Sequence, residues 1–132
     1  LQLLDDEMAV VSNLTRIPIP RDPENQKITG FIESNYEKKI KLSDFSEVRN
    51  YSKRHISRLF KSDLSISIFE YLKLYRIFQA TLKLCEKNPE TTTQIAFSCG
   101  YESLSSFYKD FKAVFSISPK AFKKRMAPGT RR

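Results

Sequence analysis

The 132-residue chain is poor in the residues that most site chemistry requires, with two cysteines and one histidine. Cys85 and Cys99 lie too far apart for a Cys-x-x-Cys motif and are too few for a disulfide framework. A reducing compartment is therefore expected, with both thiols buried as small apolar side chains. One histidine and no Cys/His cluster leave little for a metal centre or for acid–base catalysis, so neither an enzyme nor a cofactor or metal is expected. There is no run of about 18 apolar residues and no signal peptide with a basic start and apolar stretch. These absences point to a cytoplasmic protein with no membrane partner. No segment alternates apolar and polar residues with period 2, so nothing competes with helix.

What the chain does have is positive charge. Lys and Arg number 23 against 15 Asp and Glu, a net of +8. Residues 1–20 hold Asp5, Asp6, Glu7 and Arg16, a net of −2, which leaves +10 on the other 112. Such a body suits a polyanion, because Lys and Arg release counterions from phosphate without needing any particular sequence. An acidic protein or an acidic membrane surface would attract it in the same way.

The apolar spacing reads as a series of helices. Leu1, Leu4, Met8 and Val11 form a stripe, followed by Pro18, Pro20 and Pro23 in a polar stretch. Residues 1–21 are expected to be a linker or the remnant of a missing N-terminal domain, since the chain begins at Leu1. Asp22 and Pro23 make an N-cap and first helical position, and Ile28, Phe31, Ile32 and Tyr36 predict a core helix to about Lys38. Leu42, Phe45 and Val48 predict a second helix, closed by Asn50 in the left-handed conformation. Ser52 caps a third with Ile56, Leu59 and Phe60. From Ser67 to about Glu86 the pattern is apolar on more than one side, including Phe69, Leu72, Ile77, Ala80 and Leu82, as for a helix packed from two sides. Asn88-Pro89 stops it. Thr91 to Thr93 open a helix through Ile95 and Ala96 that Gly100 ends. Ser103 caps another, carrying Phe107, Phe111 and Val114, and Pro119 opens a last one with Phe122. Residues 127–132 are expected to be a disordered tail.

Comparing the chain with itself exposes a repeated unit. Phe45, Ser46, Asn50 and Tyr51 recur 50 positions later as Ile95, Ala96, Gly100 and Tyr101. Beyond the turn the offset is 51, pairing Ser52 with Ser103, Ile56 with Phe107, Arg58 with Lys109, Phe60 with Phe111 and Lys61 with Lys112. Each copy has the parts of a helix-turn-helix: a small residue where the helices touch, a residue that accepts a left-handed turn, and apolar anchors on both helices. On the second helix of the first copy, Arg54, Ser57, Arg58 and Lys61 share a face opposite the anchors. Ser105, Tyr108, Lys109 and Lys112 do so in the second. Each stripe alone would also suit a solvated helix face, but two register-matched copies on a basic body favour duplex DNA.

These residues resemble the AraC/XylS family of bacterial transcription regulators. The second unit carries most of the match: Ile95-Ala96, Cys99-Gly100-Tyr101, Ser103, Ser105, Phe107, Lys109, Phe111-Lys112, Phe115 and Ser118-Pro119. The first adds Leu42, Tyr51-Ser52-Lys53, Arg58-Leu59-Phe60-Lys61, Tyr71, Arg76, Ala80 and Leu82. The resemblance covers about residues 23–125 and implies an all-α fold of about seven helices. It has a first lobe over 22–66, a linker helix over 67–88 and a second lobe over 89–126.

It further implies two recognition helices in successive major-groove segments, about 34 Å apart on straight DNA. Carried over position by position, the base contacts are Arg54, Ser57 and Arg58 in the first unit and Leu104, Ser105, Tyr108 and Lys109 in the second. A guanidinium matches guanine O6 and N7, so Arg54 and Arg58 suit base edges, with phosphate the alternative. Ser52, Lys53, Lys61, Ser103, Ser106 and Lys112 are the phosphate candidates, although the serines are also good helix caps. His55 is expected to help packing or to meet a phosphate. Leu104 and Tyr108 could meet thymine methyls or stabilise the lobe, which would leave the second unit as mainly a phosphate clamp. Family members usually have Gly where Ser65 stands, and often where Ser116 stands, so strain or an altered turn is expected there. RNA polymerase is a partner by family implication. The same holds for a monomeric fragment whose full-length protein dimerises through a missing N-terminal domain.

Overall fold

A computed structural model describes residues 17–49, 51–86 and 90–126, among which there are seven helices and no strand. They are α1 (Pro23–Asn35), α2 (Leu42–Arg49), α3 (Lys53–Leu64), α4 (Ile68–Cys85), α5 (Thr92–Ser98), α6 (Leu104–Phe115) and α7 (Pro119–Met126). The all-helical expectation holds. The N-terminal apolar stripe, Asn50, Asn88-Pro89 and the tail lie outside the described residues. The chain divides into two compact units whose boundary falls inside α4, between Tyr75 and Arg76.

In the first unit α1 begins as expected, with the Asp22 carboxylate accepting from the Glu24 amide and Pro23 at the first position. It ends at Asn35, three residues before Lys38. There the Asn35 amide group donates to the Phe31 carbonyl at 2.8 Å, and the Tyr36 ring meets Tyr75 edge-on at 5.3 Å, which turns the chain away. Ile28 and Ile32 of α1, Phe45 of α2, Ile56, Phe60 and Leu64 of α3, and Ile68, Tyr71 and Leu72 of α4 form one buried cluster. Each of these large apolar side chains contributes roughly 1.5–3 kcal/mol by leaving water.

The segment that enters α1 is held by α3. The Asp63 carboxylate accepts from the amides of Arg21 (3.1 Å) and Asp22 (3.0 Å) and from the buried Asn25 side chain (3.1 Å), which also donates to the Leu59 carbonyl. The Asp22 amide first, then the Asn25 side chain, hold the Asp63 carboxyl below its ordinary 3.8. A carboxylate depressed in the folded state stabilises above its unfolded pKa and loses that contribution as pH falls through the folded value. Asp63→Asn is therefore expected to melt below the parent at pH 7, with the gap closing below about pH 4. A gap that stays constant down to pH 3 would show that the carboxylate charge is not what holds the segment.

The second unit is aromatic. Phe107 and Phe111 of α6 are fully buried. Phe111 lies 5.8 Å from Phe107, 4.9 Å from Phe115 and 5.5 Å from Phe122 of α7, ring centre to ring centre. A reciprocal capping box of Thr91 and Gln94 starts α5. Gly100 closes the turn with φ at 95°, and Tyr101 donates its backbone N–H to the Ala96 carbonyl at 3.1 Å.

Within α4, Ser67 is a cap, its hydroxyl accepting from the Glu70 amide, so the helix begins one residue later than expected. Phe69 and Leu82 are nearly half exposed, so packing covers a narrower part of α4 than its apolar residues span. Cys99 is buried, as expected, but Cys85 is exposed and corrects the expectation of two buried thiols. It ends α4 next to exposed Glu86, in a last turn where only Leu84 points inward.

The helices α3 and α6 end alike. Ser65 and Ser116 adopt left-handed backbones, φ 66° and 64°, and their N–H groups donate to the carbonyls of Lys61 and Lys112, each at 2.8 Å. The turn keeps the shape that glycine would give it, and the strain falls on the serine Cβ, at about 1–2 kcal/mol. After allowing for the greater freedom of glycine in the unfolded chain, Ser65→Gly and Ser116→Gly should each gain about 0.5–1 kcal/mol in urea unfolding. An unchanged or lower midpoint would contradict this.

Candidate nucleic-acid interface

Both recognition helices are built by the same local rules. Ser52 and Ser103 sit in extended backbone and accept, through their side-chain oxygens, from the amides of His55 and Ser106. Each helix then runs for 12 residues, buries a stripe at spacing four (Ile56, Phe60, Leu64; Phe107, Phe111), and ends in a left-handed serine. The opposite face is thereby left to solvent.

On α3, Arg54, Arg58 and Lys61 are exposed and Ser57 is half-buried. With Ser62 they line one shallow groove, so the structure brings the whole expected stripe together and adds Ser62. Ser62 follows Arg58 by four residues, and that spacing could have signalled it. Lys53 and Ser52 are exposed at the helix start. The Tyr51 ring stands perpendicular to His55 at 4.9 Å, and Arg58 Nη2 lies 3.5 Å from His55 Nδ1. His55 thus packs between Tyr51 and the guanidinium, in line with the packing role expected of it.

On α6, Ser105, Ser106, Lys109 and Lys112 are exposed, and the Tyr108 ring is 41% exposed, with its centre 6.2 Å from that of buried Phe107. Leu104 is half-buried. The Ser103 hydroxyl donates to Ser106 Oγ at 3.0 Å, so these two serines form one polar start to the helix. Behind the face, buried Tyr101 donates its hydroxyl to Asp110 at 2.8 Å, and the half-buried Arg76 guanidinium lies 5.9 Å from the Tyr101 ring centre. Burial, reinforced by the Asp110 charge, pushes the Tyr101 phenol well above its ordinary value, so it remains a donor at any physiological pH. Arg76 and Asp110 stand 34 positions apart, and nothing in their spacing signals that both meet Tyr101.

Two capped, amphipathic helices thus each end a helix-turn-helix. A family described as a helix-turn-helix domain matches residues 45–125. The multiple antibiotic resistance protein MarA of Salmonella typhimurium is 31% identical over 96 residues, covering 73% of this chain and 75% of MarA. The chain belongs to the AraC/XylS-type helix-turn-helix family. Another family relative, the HTH-type transcriptional regulator YkgA of Escherichia coli, is 30% identical over 112 residues, covering 85% of this chain and 46% of YkgA. The chain spans half the length or less of several curated relatives it matches. Among solved structures, a probable AraC family transcriptional regulator from Rhodopseudomonas palustris is similar with a TM-score of 0.75 and 25% identity, covering 81% of this chain and all of that one. The seven-helix fold is the fold of this family. No helix among the described residues is long and apolar enough to cross a membrane, and among them no group of His, Cys, Asp and Glu could hold a metal ion.

Proposed function

We propose that the chain is the DNA-binding part of a transcription regulator and binds a specific duplex sequence, with α3 and α6 each entering the major groove. The observation that carries this reading is the duplication. Two helices of the same length and the same caps each turn a polar, cationic face to solvent on a helix-turn-helix, the element that presents such a helix to the groove. Family membership supports it.

In this reading Arg54, Ser57 and Arg58 read base edges in the first segment. Leu104, Ser105, Tyr108 and Lys109 line the second. Ser52, Lys53, Lys61, Ser103, Ser106 and Lys112 meet phosphates. The first unit specifies more than it clamps, because it holds the two arginines. The second, with Tyr108 and no arginine on its face, clamps more than it specifies. The role is regulatory and non-catalytic, and it is exercised in the cytoplasm. RNA polymerase is the partner through which activation would act, and the chain by itself binds as a monomer.

A gel-shift series tests this with a panel of promoter fragments and random duplexes of equal length, over a range of salt. Tight binding to particular fragments above random duplex is the expected result. Equal, weak, salt-sensitive binding to every duplex and to anionic vesicles would instead make the chain a general polyanion-docking module.

A further inference from the structure

The first recognition helix carries a chain of side-chain contacts that neither its caps nor its core require. Tyr51 precedes the capping Ser52, His55 lies in the first turn of α3, and Arg58 follows one turn later. The His55 amide donates to the Ser52 hydroxyl at 3.2 Å, which fixes the backbone that carries the ring. The Tyr51 ring stands edge-on to the imidazole, 4.9 Å between centres and at 90°. The imidazole in turn meets the Arg58 guanidinium, with Nδ1 3.5 Å from Nη2.

The roles in the last contact follow from the groups. A guanidinium carries donors only, so Nδ1 must be the bare ring nitrogen and accept, with the ring hydrogen on Nε2. At 3.5 Å the contact is long for a hydrogen bond, so it biases the guanidinium rather than locking it, and Arg58 has further N–H groups to offer a base edge. The bias matters because Arg58 is exposed. A long side chain in solvent samples many rotamers and loses that freedom on meeting a base, and a neighbour that already favours one arrangement lowers the cost.

The second unit uses the equivalent tyrosine differently. Tyr101 is buried and donates its hydroxyl to Asp110, where the first unit has Leu59 and no acceptor. Tyr51 accordingly stays at the surface, beside His55. His55 is matched by Ser106, whose Oγ accepts from the Ser103 hydroxyl, and Arg58 is matched by Lys109. The second unit therefore has neither the imidazole nor the guanidinium.

We propose that His55, propped by Tyr51, is a positioning residue for Arg58. Its Nδ1 orients the guanidinium toward a base edge and so sharpens the sequence preference of the first unit, while His55 itself touches no base. The proposal rests on the DNA-binding reading above and on Arg58 as a base reader. Positioning is favoured over a phosphate contact by His55 because a phosphate ligand would need neither the tyrosine nor the arginine that the ring meets.

The test uses the full chain, a duplex selected by the parent, and duplexes changed at single positions of that site. His55→Phe keeps a ring against Tyr51 and removes the acceptor. His55→Asn sets an amide oxygen where Nδ1 stands and restores one. Arg58→Ala and the double variant (H55F with R58A) complete a cycle, and melting curves check that each variant is folded. We expect H55F to weaken binding to the selected duplex about 3- to 10-fold, the scale of one hydrogen bond. That loss should vanish on the duplex altered at the position where R58A also loses nothing. H55N should recover most of it, H55F should add nothing once Arg58 is gone, and the salt slope should stay unchanged because no phosphate contact is removed. An equal loss on every duplex with a shallower salt slope overturns the proposal and makes His55 a phosphate ligand. Unchanged affinity in H55F, no rescue in H55N, or additive losses in the double variant overturn it as well. If the parent prefers no duplex, the DNA-binding reading fails; if R58A weakens all duplexes equally, Arg58 is no base reader, and the proposal falls with either. If R58A is selective and H55F is not, only the role of His55 fails. Should H55F melt early, Tyr51→Ala, which removes a ring outside the core, must still give a loss selective for the same position, or the proposal falls.

Discussion

Replacing Phe111 by alanine is expected to cost about 3–5 kcal/mol, which is the range for removing a fully buried aromatic ring from a packed core. Phe111 touches Phe107 on its own helix, Phe115 one turn on, and Phe122 of α7, so it joins the recognition helix to the helix behind it. A small domain holds only about 5–15 kcal/mol in total, and this single change removes a large part of it. With a urea dependence of about 1–3 kcal/mol per molar, the midpoint should fall by roughly 2 M. Circular dichroism would report lost helix, and DNA binding should weaken together with the fold. A loss below about 1 kcal/mol would mean that α6 is not held by this cluster. In that case the matching of Phe111 to Phe60, on which the two-unit reading depends, would have lost its physical basis.

Arg58→Ala should act differently, leaving the fold unchanged and lowering affinity for the selected duplex by about 1–3 kcal/mol, or roughly 5- to 150-fold. Arg58 is exposed at the middle of α3, in the groove shared with Arg54 and Lys61, and its truncation uncovers no core residue. If it reads guanine, the loss vanishes on duplexes altered at one position. If it clamps phosphate, the loss is uniform and the salt slope drops by about one. Lys112 of the second unit, one of the proposed phosphate contacts, is expected to show the second behaviour when replaced by alanine.

Much of this was legible because helix caps and apolar spacing are local. Asp22-Pro23, Ser52, Thr91 and Ser103 mark helix starts through side chains that bond amides two or three residues on, and that information is complete within each segment. The repeat was legible for the same reason. What was not legible depended on partners distant in sequence. Tyr51 and Tyr101 occupy equivalent places, yet one is 47% exposed and the other 8%. Asp110 accepts the Tyr101 hydroxyl, whereas the equivalent position of the first unit is Leu59, which offers no acceptor. Likewise, the spacing of Asp63 says nothing of Arg21 and Asp22, which its carboxylate captures from 42 and 41 residues away. The exposure of Cys85 depends on where α4 ends relative to its neighbours, and residue type alone suggested burial.

The central claim is that two recognition helices of one chain read duplex DNA in successive turns of the groove. Selection of bound sequences from a random duplex pool tests it most directly. The account predicts an asymmetric site with two enriched blocks centred about 10 base pairs apart, the block read by α3 the more sharply defined and containing guanine opposite Arg54 and Arg58. A single short block, a symmetric palindrome, or no enrichment above the starting pool would contradict it.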